Sequence, residues 1–123
     1  MNWLILIFNK MKIVKQSESS IFDNSDICQA VIYSLGDKDI DISLVKVGGR
    51  HPSQGYVVNE ICKEVSYIID GSGLLNIENT EYSFNKGDVI LIEPGEKYFW
   101  NGNFEALMSC TPAWYPEQHK MLD

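Results

Sequence analysis

Glu64 and Tyr98 are the side chains whose types and settings point most directly to chemistry. In the run Glu64-Val-Ser-Tyr-Ile-Ile-Asp, strand alternation puts Glu64, Ser66 and Ile68 on one face. Turned into an apolar interior, such a carboxylate would lose its hydration, and its pKa would rise toward the range useful to a general acid or base. In Tyr98-Phe-Trp100 the same alternation sets Tyr98 and Trp100 side by side. A phenol can donate a proton or stabilise an oxyanion, and an indole offers a flat stacking surface.

The remaining reactive residues are few. His51 and His119 are the only histidines, so one chain cannot build a three-histidine metal site. Gly48-Gly-Arg-His-Pro52 reads as a loop. At a pocket mouth its Arg50 and His51 would meet an anionic ligand. The tail Cys110-Thr-Pro-Ala-Trp-Tyr-Pro-Glu-Gln-His119 cannot be a continuous helix, because Pro112 and Pro116 interrupt it. Its aromatic residues are expected to pack on the body of the protein or across an interface. A sharper expectation is a lid, with Trp114, Gln118 and His119 lining a ligand. Cys28, Cys62 and Cys110 are odd in number and lack CxxC spacing. They read as buried thiols of a protein in a reducing cytoplasm rather than a disulfide framework.

These residues sit on a chain that reads as strands. Apolar stretches recur at 27–33, 40–47, 65–69, 74–77, 89–92, 98–100 and 104–110, rich in Val, Ile, Tyr and Phe. Turn signals separate them at Gly48-Gly49, Asp70-Gly71, Glu78-Asn79-Thr80, Gly87-Asp88, Pro94-Gly95 and Asn101-Gly102. Gly71 and Gly73 are expected to bracket a hairpin, and Pro94-Gly95 a type II-like corner. The sole helix candidate lies around Glu18 to Phe22. Short strands at this spacing predict a sandwich or barrel. With 123 residues and 45% apolar content, the chain predicts one domain. A net charge of −7 with scattered basic residues disfavours nucleic acid and anionic membrane surfaces as partners. Trp3 to Phe8 is too short to span a bilayer. Residues 1–10 read as an upstream extension or an added edge strand, ahead of a single domain over 11–123.

Glu64 is followed by Gly71 and Gly73, and later by Gly87-Asp-Val-Ile-Leu-Ile-Glu-Pro94-Gly95. Over about residues 40–110, these runs resemble the two sequence motifs of the cupin superfamily, in its small single-domain form. The resemblance implies an all-β fold, the jelly-roll barrel or double-stranded β-helix. It also implies where the family's metal-binding histidines would stand. Those positions fall on Val57 and Asn59, or on Val58 and Glu60, and on Tyr98. The implied pocket floor is Val57, Asn59, Glu64, Tyr98 and Trp100. Such donors suit a transition metal poorly, so neither a metal nor another cofactor is expected. They suit a small polar molecule well.

The leading expectation is therefore a cytoplasmic protein that binds a sugar or carboxylate metabolite inside the barrel. Asn59, Glu64, Tyr98, Trp100, Arg50, His51, Trp114, Gln118 and His119 would contact the ligand. A second expectation is an isomerase, epimerase or lyase using Glu64 and Tyr98 as acid and base. A third is a metal-dependent cupin in which Glu64 is joined by Asn59, Cys62 or His119. The resemblance also implies pairing of two copies through their sheets.

Overall fold

The computed structural model describes residues 10–123. The expectations for residues 1–9 lie outside it. Nine strands follow one another along the described chain: β1 (Ser20–Ser25), β2 (Cys28–Ile32), β3 (Ser43–His51), β4 (Tyr56–Asn59), β5 (Lys63–Ile77), β6 (Thr80–Asn85), β7 (Val89–Ile92), β8 (Lys97–Thr111) and β9 (His119–Leu122). The helical residues described form two single 3-10 turns, Gln16–Glu18 and Pro116–Gln118. No helix among the described residues is long and apolar enough to cross a membrane.

All pairings are antiparallel, and β8 is the centre of the sheet. It pairs with β3 and β4 along one edge and with β5 along the other. β2 and then β1 extend the sheet beyond β3, and β9 extends it beyond β4. β6 and β7 both pair with β5. The sheet curls so that one face is interior. Along β8 the buried residues are Tyr98, Trp100, Phe104, Ala106, Met108 and Cys110, all at even positions. Along β5, Glu64, Ser66 and Ile68 are buried while Val65 and Tyr67 are exposed. Strand alternation alone explains both patterns.

Three expected turns are strand interior. Gly49 pairs with Gly102, and Gly102 pairs with Gly73, so three glycines form one row across β3, β8 and β5. A Cβ on Gly102 would stand 2.5 Å from the Cα of Gly73, and one on Gly71 would stand 2.1 Å from the Asn103 carbonyl oxygen. At Gly71, Gly73 and Gly102 the two strands β5 and β8 approach too closely for side chains. The expected hairpin at Gly71 and Gly73 is therefore replaced by a continuous β5 with a register shift between Ile68 and Asp70. The hairpin falls instead at Glu78-Asn79, both with positive φ, joining β5 to β6. The Pro94-Gly95 corner is as expected: Gly95 has φ +85°, and the Glu96 amide bonds the Glu93 carbonyl at 3.3 Å. The helix expected around Glu18 to Phe22 is absent; from Ser20 onward the chain is β1. Its Ile21 and Phe22 face partners on β2, and tertiary pairing outweighs a weak local preference.

Candidate functional site

The register of the sheet brings the reactive side chains together. Glu64 on β5 pairs with Cys110 on β8, and their side chains meet, with the Cys110 Sγ 3.5 Å from Glu64 Oε2. His51 on β3 pairs with Trp100 on β8. Val57 on β4 pairs with Tyr98, and Asn59 pairs with His119 on β9. His51, Glu64, Tyr98, Trp100, Cys110, Trp114 and His119 all line one cavity of about 480 Å³ inside the curled sheet. Apolar residues such as Ala30, Val45, Val47 and Met108 make up much of its wall. A more open depression of about 570 Å³ lies beside Asp23, Asp26, Asp70 and Glu105. It contains none of these reactive side chains.

Burial governs the electrostatics of the cavity. Glu64 is 8% exposed, and its Oε1 has no hydrogen-bond partner among the described residues. Loss of hydration pushes its carboxyl up to about 7; the Cys110 thiol counteracts this in part, and the charge of Asp41 adds to it. Burial, then the Glu64 charge, pushes the Tyr98 phenol well above its ordinary range. The same two causes push the Cys110 thiol up, so it remains a thiol that donates to Glu64. His51 is lowered by burial, and its Nδ1 is unpartnered. His119 is lowered by burial and by His51. The lining holds carboxylates at Asp37, Asp41 and Glu64, and no Lys or Arg among the described residues.

Three expected ligand contacts are elsewhere. The Arg50 guanidinium donates to the carbonyls of Pro52 and Gly55 at 2.6 and 3.0 Å and stacks on Phe99 at 3.7 Å. It holds its own loop and does not line the cavity. Gln118 is buried, and its Oε1 accepts from the amides of Ile61 and Cys62 at 3.1 and 3.2 Å. Asn59 lies behind the cavity wall. Its Oδ1 accepts from Gln118 Nε2 at 3.1 Å and meets His119 Nδ1 at 2.7 Å, while its Nδ2 faces Tyr98 Oη at 3.4 Å. The tail is partly woven into the fold as β9, which places Trp114 and His119 at 5.4 Å from each other in the wall.

Residue-by-residue reasoning missed Cys110 and Asp41. Cys110 shares the even-numbered face of Tyr98 and Trp100, so alternation could have found it. Asp41 accepts from the amides of Cys110 and Trp114 at 2.7 and 2.9 Å. It ties the tail to β8 through contacts remote in sequence, and no local signal announces that.

The residues at the positions where cupins carry metal ligands do not fit a transition metal. Val57 has no donor. The Asn59 amide is occupied by Gln118, His119 and Tyr98, and the phenol holds its proton. Of Val57, Asn59, Glu64 and Tyr98, only Glu64 offers a free donor atom, and such ions favour imidazole and thiolate sets. Among the described residues no group of three His, Cys, Asp or Glu side chains gathers to hold an ion.

No family model and no curated protein sequence matches this chain. Solved structures do. Pac13, a nucleoside dehydratase of Streptomyces, is 18% identical with a TM-score of 0.82, over 92% of each chain. Further structures of that protein, each with one histidine or one of two tyrosines substituted, are with uridine. Ectoine synthase from P. lautus is 14% identical with a TM-score of 0.71, over 92% of this chain and 91% of its own. An RmlC-like cupin from Shewanella frigidimarina is 14% identical with a TM-score of 0.66, over 86% and 93%. The all-β architecture, the curled sheet and these likenesses together give the chain the cupin jelly-roll fold.

Proposed function

We propose that the barrel binds a small neutral molecule rich in hydroxyl groups, a sugar or nucleoside derivative, and that Glu64 and Tyr98 act on it as base and hydrogen-bond donor. The observation that carries this reading is the buried, half-unpartnered carboxyl of Glu64 at the wall of an apolar cavity, beside Tyr98 and His51. A carboxyl at about 7 is divided between its two forms at neutral pH, as general acid–base catalysis requires. Tyr98, held as a phenol, serves as donor to an oxygen that gains charge. A carboxylate ligand is disfavoured, because the lining has no cation and Arg50 is engaged elsewhere.

A spacing supports a nucleoside-like ligand. The positions substituted in the uridine-bound Streptomyces structures, a histidine and two tyrosines, follow one another at 13 and 34 residues. His51, Glu64 and Tyr98 follow one another at the same 13 and 34, and all three line the cavity. On this correspondence the chain keeps a histidine and a tyrosine and carries a carboxylate where the neighbour has its other tyrosine. The reaction class is elimination of water or isomerisation. In the elimination, Glu64 takes a proton from carbon and the C–H pair becomes the new double bond. The adjacent C–O bond breaks, and the same proton is returned to the departing hydroxide to give water.

Uridine and free ribose titrated into the protein test the reading. Uridine is expected to bind, with affinity reduced about tenfold in Tyr98→Phe through loss of one hydrogen bond. Turnover followed by proton NMR across uridine derivatives is expected to vanish in Glu64→Gln while binding persists. Equal affinity in all three proteins would overturn the assignment, and absence of binding would overturn the ligand class.

Two coarser features belong to the same proposal. The outer face carries exposed Val65 and Tyr67 on β5, Val89 and Leu91 on β7 and Leu107 on β8, joined by direct pairing. Such a contiguous apolar face supports pairing of two copies. The three buried free thiols support a reducing compartment.

A further inference from the structure

The hydrogen bonds behind the cavity wall have a direction, and main-chain amides set it. The amides of Ile61 and Cys62 donate to one side-chain atom of Gln118. That atom must be the oxygen, because an N–H can be met only by an acceptor. The other end of Gln118 is then the NH2, and it faces Asn59 at 3.1 Å. The Asn59 atom that receives it must be Oδ1. His119 Nδ1 lies 2.7 Å from that same oxygen, so Nδ1 must carry a proton and donate it. Asn59 Nδ2 is then the atom facing Tyr98, and it donates to Oη at 3.4 Å.

We infer that Asn59 and Gln118 are positioning residues that make His119 a proton acceptor and Tyr98 a proton donor toward the cavity. With Nδ1–H spent on Asn59, the neutral ring of His119 keeps its lone pair on Nε2, which has no hydrogen-bond partner among the described residues. With a donor already at its oxygen, Tyr98 has its own O–H free for a ligand. Asn59 is 1% exposed and Gln118 2%, so solvent does not compete for the network. Burial and the neighbouring His51 keep His119 neutral, consistent with an accepting nitrogen. The cavity thus asks for a ligand that offers a hydroxyl proton to His119 and an oxygen acceptor to Tyr98. This specificity rests on the reading of the cavity as a ligand site and adds His119 to its working groups.

The imidazole tautomer tests the inference on the full chain without ligand. Nitrogen-15 NMR distinguishes the protonated from the bare ring nitrogen, and His51→Gln assigns the signals to His119. The expected result is the Nδ1–H form, the reverse of the preference of free imidazole side chains. An Nε2–H form, or an imidazolium at pH 7, would overturn the inference. In Gln118→Glu, a carboxylate faces Asn59 Oδ1, and the amide is expected to turn over. His119 should then switch to Nε2–H. An unchanged tautomer in that variant, once its spectrum shows a folded protein, would remove Gln118 from the argument. If the variant does not fold, the wild-type spectrum decides. Because no ligand is present, failure of uridine to bind overturns the nucleoside reading without altering the tautomer result.

Discussion

At the scale of single residues, the decisive fact is that Glu64 is a carboxyl removed from water with no Lys or Arg among the described residues lining its cavity. Its ordinary value is 4.5 and its folded value about 7. The folded state therefore holds its proton more tightly than the unfolded chain between those values. Stability from this group is complete below 4.5 and is lost as pH rises through about 7. Glu64→Gln removes that dependence. At pH 8 the variant is expected to be more stable than wild type by about 3 kcal/mol at most, and by much less at pH 4.5. Urea unfolding at the two pH values measures it; equal differences would show that Glu64 does not titrate near neutrality. Tyr98→Phe belongs to the same scale. It removes one oxygen from the Asn59 network and is expected to cost ligand affinity more than stability, read by titration and by thermal melting.

At the scale of elements, Gly102 and Gly73 let β8 and β5 approach backbone to backbone. Gly102→Ala is expected to destabilise the fold by about 3 kcal/mol or more, because its Cβ would meet backbone rather than a movable side chain. Gly87→Ala meets open space and incurs only the strain of its positive φ, about 1 kcal/mol. Denaturant midpoints of the two variants should separate accordingly. Here the limits of sequence reading are physical. Strand alternation is local, so it made legible that Glu64, Ser66 and Ile68 share one face and Tyr98 and Trp100 another; that these faces turn inward was legible from the cupin resemblance. The Pro94-Gly95 corner was legible because its turn chemistry is local. Asp70-Gly71 and Asn101-Gly102 carry the same local signal as a turn, yet serve a close crossing of strands distant in sequence. The protein partners of Arg50, Asn59 and Gln118 were not legible for a related reason. Side-chain type says that a group can bond a ligand. Only tertiary register shows that a loop carbonyl, an amide or a histidine has already claimed it.

At the scale of the whole molecule, one interior holds the site and one outer face is apolar. On the proposed pairing, analytical ultracentrifugation is expected to find wild type a dimer and Leu91→Lys a folded monomer; a monomeric wild type would overturn the pairing, and a dimeric variant would remove this face from it. The interior is a cavity of about 480 Å³, within the range that encloses a small metabolite. Its polar groups come from β3, β5, β8 and β9, so the site exists only when these strands have assembled. On the proposed reading, this cavity holds Glu64 as an acid–base group that meets a hydroxylated ligand. Carbon-13 NMR of the Glu64 carboxyl, titrated with pH in the absence and presence of uridine, tests it most directly. The expected midpoint lies near 7 and moves when uridine is added. A midpoint near 4.5, unmoved by uridine, would contradict it.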